Sequence, residues 1–266
     1  KQNKDLKFIN KKIQDLDRLT DSISGIFHLA AQVSAPKSLA KMYNSSSNNL
    51  MSSLAVFEIA KESKIPVVYA SSSAVYGNLS LGDDDSDLFD ILTPYGMDKL
   101  TIEKYAKMFF EIYKIPSTGL RFFNVYGPRQ DPSSPYSGVI SIFLNKLINK
   151  EPLNLNGGSQ TRDFIFVFDI CKVLISSMNL LIDEPEFNIF NVGTGNSVTI
   201  KDLLLLMAKK LQLHPRINQK NHIKGDPLIS NCSVKKLENS LSLDVKNFLS
   251  LDEGLNLYFK IEKISL

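Results

Sequence analysis

Val67-Val68-Tyr69-Ala70-Ser71-Ser72-Ser73, entered through Pro66, is the stretch on which the fold turns. A short continuous apolar run bounded by a proline and small polar residues reads as a strand buried on both faces, the habit of a parallel sheet covered by helices. Ligands of open α/β sheets bind outside the carboxyl ends of the strands. That is where the three serines fall. Before this strand, Ser46–Glu62 has helical period, and Gly25–Ala30 is a second buried strand ending in small residues. After it come a helix at Tyr95–Tyr113 and a strand at Ser117–Phe123. The succession continues with a long loop at Asn124–Gly138, a helix at Val139–Asn149, a short strand at Leu153–Leu155 closed by Gly157–Gly158, and a strand at Phe164–Phe168. A helix at Ile170–Leu181, a strand at Phe187–Val192 and a helix at Ile200–Leu211 follow, then a polar loop to Ser230 and helical patterns at Val234–Leu241 and Asp252–Phe259. Leu6–Ile9 alternates briefly, and the polar clusters Tyr43–Asn49 and Gly82–Asp90 read as solvated loops. The order βαβα predicts an α/β fold with a mostly parallel sheet, and the loop-rich last third predicts a smaller lobe over the strand ends.

With 266 residues, 43% of them hydrophobic, the chain can bury a full core. Its 31 basic and 28 acidic residues leave a net charge of +3 without a basic stripe, so neither nucleic acid nor an anionic membrane is an expected partner. No run is long enough to span a membrane, the opening residues lack the pattern of a secretory signal, and a cytoplasmic protein is expected. Cys171 and Cys232 form no paired motif and read as small buried hydrophobes. His28, His214 and His222 have no metal-ligand spacing, and His28 reads as satisfied in the sheet core.

Tyr95 and Lys99 stand four residues apart at the start of a helix opened by Pro94, so both side chains share one face. A phenol titrates near ~10. A neighbouring ammonium, helped by a cationic cofactor ring, is expected to bring it toward neutrality and make it a base. A serine hydroxyl at the preceding strand end can relay the proton.

Three ordered segments, Ser71-Ser72-Ser73-Ala74-Val75-Tyr76-Gly77, Thr93-Pro94-Tyr95-Gly96-Met97-Asp98-Lys99 and Arg121-Phe122-Phe123-Asn124-Val125-Tyr126-Gly127-Pro128-Arg129-Gln130-Asp131-Pro132, resemble the extended short-chain dehydrogenase/reductases, and within them the NAD-dependent UDP-sugar 4-epimerases. The resemblance implies a Rossmann-type parallel sheet formed by residues 1–130 with 160–195, and a substrate-binding lobe formed by 131–160 with 196–266. It implies Ser72, Tyr95 and Lys99 as catalytic residues. It implies NAD contacts at Ile13, Leu29, Ala30, Ala31, Asn49, Ser71, Tyr95, Lys99 and Phe122. On the UDP-sugar side it implies Ser34, Ser72, Ser73, Asn124, Val139, Leu155, Arg162 and Ser230, with Asn124 and Arg162 on the phosphates. The helices at Ser46–Glu62 and Tyr95–Tyr113 resemble those that pair in the family's homodimer.

Related 4,6-dehydratases carry an Asp-Glu pair where this chain has Ser73-Ala74, which turns the expectation to epimerisation. The resemblance puts the family's pocket-size position at Ser230, four residues beyond Gly225-Asp226; a small residue there implies room for an N-acetyl group, and with the Gln130–Gly138 loop it favours UDP-N-acetylglucosamine or its uronate. Other departures are Lys12-Ile13 in place of an adenine-contacting Asp-Ile, and Ile223 in place of a phosphate-clamping arginine, for which His222 or Lys224 could substitute. The strand, GxxGxxG turn and helix that open the family's fold do not stand among these residues, so a βαβ unit of roughly 50 residues is expected to be missing, by fragmentation or by truncation. The rival readings are a UDP-glucuronate decarboxylase or epimerase, a ketoreductase, or a non-catalytic dimerising or binding remnant.

Overall fold

Lys64, held left-handed at φ 53°, stops the helix Met42–Ser63, and two residues later Pro66 passes the chain into the strand Val67–Ser72. The computed structural model describes residues 6–16, 23–134, 137–223 and 225–264. In chain order its elements are β1 (Ile26–His28), α1 (Ala35–Ala40), α2 (Met42–Ser63), β2 (Val67–Ser72), α3 (Pro94–Tyr113), β3 (Ser117–Phe122), β4 (Asn124–Tyr126), α4 (Val139–Ile148) and β5 (Leu153–Asn156). They continue as β6 (Thr161–Phe166), α5 (Val167–Asp183), β7 (Phe187–Val192), β8 (Ser197–Thr199), α6 (Ile200–Lys210), β9 (Ile217–Lys220), α7 (Lys235–Leu241) and α8 (Leu251–Ile261).

The main sheet runs β1-β2-β3-β7 with every pairing parallel. Its register sets Ser71 beside Arg121 and Arg121 beside Asn191, so the carboxyl ends of the three longest strands lie in one line. One face packs Val67, Tyr69 and Ile189 on Val56, Phe57, Ile102 and Ala106 of α2 and α3. The other packs Val68, Leu120 and Phe190 on Ile170, Val173, Leu174 and Leu237 of α5 and α7. This is the expected Rossmann-type arrangement. A second lobe has its own core around Phe143, Leu153, Phe166, Leu203, Met207 and Phe259, with small sheets β4-β6-β8 and β5-β9. Caps fix where its helices begin: the Thr199 hydroxyl accepts from the Asp202 amide at α6, and Ser250 and Glu253 form a reciprocal capping box at α8.

Several expectations change. Tyr43–Asn49 is helix, not loop, because α2 buries Ser45, Asn49, Ser52 and Ser53 against partners that sequence does not display; Ser53 donates to the Asn49 carbonyl at 2.7 Å and meets His28 Nε2 at 2.9 Å. The strand expected at Phe164–Phe168 ends at Phe166, and Val167 already begins α5. Asn124–Tyr126 pairs with Phe164–Phe166 inside the expected loop, β9 falls in the segment read as a polar loop, and β8 in a stretch for which no element was expected. Leu6–Ile9 forms no strand and stays exposed. Pro135 and Tyr136 of the expected loop, like Lys224, lie outside the described residues.

The cysteines also divide. Cys171 is exposed on α5, against expectation, while Cys232 is buried with its Sγ 3.4 Å from Asp163 Oδ2. Burial, reinforced by the Asp163 carboxylate, pushes the Cys232 thiol up. Titration of the native protein with a thiol reagent at about pH 8 should therefore modify one cysteine quickly and the second only after unfolding; simultaneous reaction of both would contradict this packing.

Candidate active site

The end of β2 and the start of α3 build the site. Thr93 caps α3 by accepting from the Gly96 amide at 3.2 Å, and Pro94 occupies its first position. Helical spacing then places Tyr95, Lys99 and Glu103 at i, i+4 and i+8 on the face turned to the sheet, all three buried. The Ser72 hydroxyl accepts from the Ala74 amide at 3.1 Å and is hydrogen-bonded with the Tyr95 phenol. Lys99, 4% exposed, donates to the Ala70 carbonyl at 2.6 Å, and its Nζ lies 5.8 Å from the centroid of the Tyr95 ring. The catalytic trio expected from sequence is therefore gathered at one strand end.

Burial governs the electrostatics of the trio. Burial raises the Tyr95 phenol above its ordinary range; the Ser72 hydrogen bond opposes that rise and the Asp98 carboxylate adds to it. Burial is thus the largest influence on the phenol, and the Lys99 ammonium is turned to the Ala70 carbonyl. Burial also brings Lys99 down to about 8, against the pull of Asp98 and Glu103.

Behind the trio lies a buried polar chain that sequence reasoning missed. Ser71 Oγ donates to Glu103 Oε1 at 2.5 Å, and Arg121 grips Glu103 through Nε at 2.9 Å and Nη2 at 2.7 Å. Arg121 Nη1 donates at 2.6 Å to the Tyr76 hydroxyl, which donates in turn to Asn191 Oδ1 at 2.7 Å. Asn191 Nδ2 donates to the carbonyls of Gly82 and Ser233 at 3.1 Å each, and its amide donates to Asp84 Oδ2 at 2.7 Å. The one available signal was Glu103 continuing the Tyr95/Lys99 spacing. Ser71, expected at the cofactor, has its hydroxyl engaged in this chain.

Of the other expected cofactor residues, Leu29, Ala30 and Ala31 form the loop after β1. Asn49 holds that loop by accepting from the Gln32 amide at 2.7 Å and donating to the Gln32 carbonyl at 3.0 Å. Ile13 packs on the core between sheet, α2 and α3, and Phe122 on the core of the opposite face.

Two adjoining cavities open at the strand ends. The smaller, about 130 Å³, is lined by Ser72, Ser73, Ala74, Asn124, Arg162 and Ser230, among others. The larger, about 530 Å³, takes Ser34, Asn124, Val139, Asn156, Arg162 and Ile223 into its wall. Asn124 and Arg162 stand on their boundary. Leu155 is buried in the second lobe's core while its neighbours Asn154 and Asn156 line the larger cavity, as the alternation of a strand requires. Arg162 is paired with Asp226 and donates to the Thr161 carbonyl at 2.6 Å. His222, a possible substitute for the arginine missing at Ile223, has Nε2 engaged with the Asp226 carbonyl at 2.6 Å.

A model of the NAD dependent epimerase/dehydratase family matches residues 1–193. The chain belongs to that family. It is 31% identical over 262 residues to a putative UDP-glucose 4-epimerase of Methanocaldococcus jannaschii, covering 95% of this chain and 83% of that protein. Among solved structures it resembles the UDP-N-acetylglucosamine 4-epimerase from Methanobrevibacter ruminantium in complex with UDP-N-acetylmuramic acid, with TM-score 0.83, 31% identity, and coverage of 95% and 83%. It also resembles MoeE5 in complex with UDP-glucuronic acid and NAD, with TM-score 0.87, 28% identity, and coverage of 97% and 86%.

The donor set of this family member fits NAD. The buried Lys99 ammonium has three N–H donors and, among the described residues, one hydrogen-bond acceptor, the Ala70 carbonyl. Two donors are left for hydroxyl groups such as those of a ribose.

Removing one partner of the buried pair should expose its cost: Glu103→Gln is expected to lower the unfolding free energy by about 3–5 kcal/mol, read by urea titration; a loss near zero would refute the pair's role. His28 supplies a pH test. Burial, aided by Lys99, pulls its imidazole down to about 4, so the folded protein refuses a proton that the unfolded chain accepts near ~6.5. Stability from this group is present above ~6.5 and is lost as pH falls toward 4, by up to about 3 kcal/mol. His28→Gln should flatten that slope relative to the parent protein.

Proposed function

We propose that this protein catalyses NAD-dependent, reversible C4 epimerisation of a UDP-hexose through a 4-keto intermediate, with UDP-N-acetylglucosamine and its C4 epimer as the preferred pair. The observation that carries the reading is the buried Ser72–Tyr95–Lys99 cluster, whose Ser72 lines a cavity with Ser73 and Ala74, and no acid, at the positions where a 4,6-dehydratase needs one. Family membership and the likeness to two 4-epimerases support it. NAD, when bound, supplies reversible oxidation at C4.

The chain's own residues do the rest. Tyr95 Oη takes the C4 hydroxyl proton and later returns it, with the Ser72 hydroxyl bonded to the phenol and able to relay. Lys99 keeps an ammonium beside the phenol, and any further positive charge at the strand ends acts on Tyr95 in a poorly solvated setting where its effect is large. Asn124 and the fork of Arg162, on the boundary of the cavities, take the diphosphate, so the nucleotide stays anchored while the sugar presents either face. The smaller cavity then holds the sugar and the larger the uridine. Ser34, Ser73, Val139, Leu155 and Ser230 remain the proposed sugar-nucleotide contacts, directly or through the wall they support. Ile13, Leu29, Ala30, Ala31, Asn49, Ser71 and Phe122 remain the proposed supports of NAD. We place cofactor binding in residues 1–130 with 160–195, sugar-nucleotide binding in 131–160 with 196–266, and a homodimer contact on α2 and α3. We place the protein in the cytoplasm; no helix among the described residues is long and apolar enough to cross a membrane.

Incubation of the full-length protein with NAD and UDP-N-acetylglucosamine should yield the C4 epimer with no carbon dioxide and no net NADH. Loss of carbon, or accumulation of NADH, would overturn the assignment. Tyr95→Phe should lower kcat by at least about 100-fold and Ser72→Ala by about 10- to 100-fold, with UDP affinity little changed.

A further inference from the structure

We infer that Ser38, on the short helix α1, is a positioning residue for Tyr95: its hydroxyl anchors the main chain of the proposed base from the wall of the substrate cavities. The inference rests on the reading of Tyr95 given above.

The first turn of α3 has amide donors that its own helix cannot satisfy. Pro94 has none to offer. Gly96 donates to the Thr93 hydroxyl at 3.2 Å and Met97 to the Thr93 carbonyl at 3.1 Å. Tyr95 alone in this turn turns to another element, donating to Ser38 Oγ at 3.2 Å across 57 residues of sequence. Ser38 is fully buried, at 0% exposure, and its own proton goes to the Ala35 carbonyl at 2.7 Å. The hydroxyl is thus orientated as an acceptor for Tyr95. A buried amide left without that acceptor costs about 1–3 kcal/mol, enough to favour a shifted turn.

The opposite side of the turn leaves little slack. A Cβ added at Gly96 would stand 2.7 Å from the Ala74 carbonyl oxygen, so the helix start is pressed against the turn that follows Ser72. Tyr95 is therefore held between the Ser72–Ala74 turn and α1. Helix α1 begins at Ser34, whose hydroxyl caps it, and Ala35 lines both cavities. Ala35, Pro36 and Leu39 of α1 line the ligand space, and Ser38 between them holds the main chain of the base. A Cβ at Gly225 would meet Leu39 of α1 at 3.2 Å, so the segment bearing Asp226 also leans on this helix. Substrate seating and the aim of the phenol are thereby joined through one hydroxyl.

The test uses Ser38→Ala in the full-length, NAD-loaded enzyme, with far-UV circular dichroism confirming the fold. Misplacement of the base should lower kcat about 10- to 100-fold while the dissociation constant for UDP stays within about twofold. Hydrogen exchange at the Tyr95 amide should accelerate by about tenfold or more, with the amides of Ile102 and Ala106 unchanged. Undiminished kcat, or kcat and UDP affinity falling in equal measure, would overturn the inference. A parent enzyme that turns over no UDP-sugar would defeat the epimerase reading instead; exchange at the Tyr95 amide would still decide the Ser38 anchor, and an unchanged rate there would overturn it.

Discussion

Arg121 and Glu103 are joined by two hydrogen bonds with only 4% of either side chain exposed. Charges removed so far from water are tolerated only when geometry is good and remaining donors and acceptors are met. Both conditions hold, since Ser71 donates to the carboxylate and Tyr76 accepts from the guanidinium. The pair spans α3 and β3, Ser71 brings in β2, and Asn191 brings in β7. Helix α3 can neither rotate nor slide without breaking a charge-assisted bond in a medium where no water replaces it. Because Tyr95 and Lys99 lie on the same face of that helix, two turns and one turn earlier, their placement against the strand ends is fixed by the same constraint.

That rigidity has an electrostatic consequence. Desolvation disfavours the charged form of both Tyr95 and Lys99, so the phenol rises while the ammonium falls to about 8. At neutral pH Tyr95 therefore keeps its proton beside an ammonium that is still mostly protonated. Neither group is poised by burial alone. What burial provides is sensitivity, since in poorly screened surroundings a single added charge at the strand ends moves the phenol far more than it would at the surface.

Features carried by neighbours in sequence were legible, and features carried by distant partners were not. Pro66 and Pro94 mark element boundaries wherever they stand, and a fourfold spacing puts Tyr95 and Lys99 on one face of any helix, so the sheet and the trio could be read directly. The run Tyr43–Asn49 looked like loop because its serines and asparagines are polar; it is helix, with Gln32 receiving Ser45 and Asn49 in the interior. Cys171 looked buried by residue type, yet faces solvent on α5. The chain from Ser71 to Asn191 joins residues separated by 32, 18, 45 and 115 positions. No local pattern encodes such pairings. Nor could sequence foretell that the Tyr95 phenol would rise, since that depends on how completely the surrounding elements exclude water.

Two arginines show how one chemistry serves two ends. Arg121 and its carboxylate are both nearly enclosed, each with 4% of its side chain exposed, so the pair acts as scaffold. Arg162 is nearly as deeply buried, with 8% of its side chain exposed, but its partner Asp226 is 36% exposed and lies next to Gly225, a left-handed residue at φ 83°. A buried guanidinium must keep an anion at hand. It does not matter to the guanidinium whether that anion is a carboxylate or a phosphate, provided the oxygens match its fork. The carboxylate of Asp226 can be rehydrated when it withdraws, so exchanging it for a diphosphate leaves the charge beside Arg162 balanced and strands no ion in the interior. The proposed phosphate seat is thus one that the free protein can keep electrically satisfied, and it differs from the scaffold pair chiefly in which partner has access to solvent.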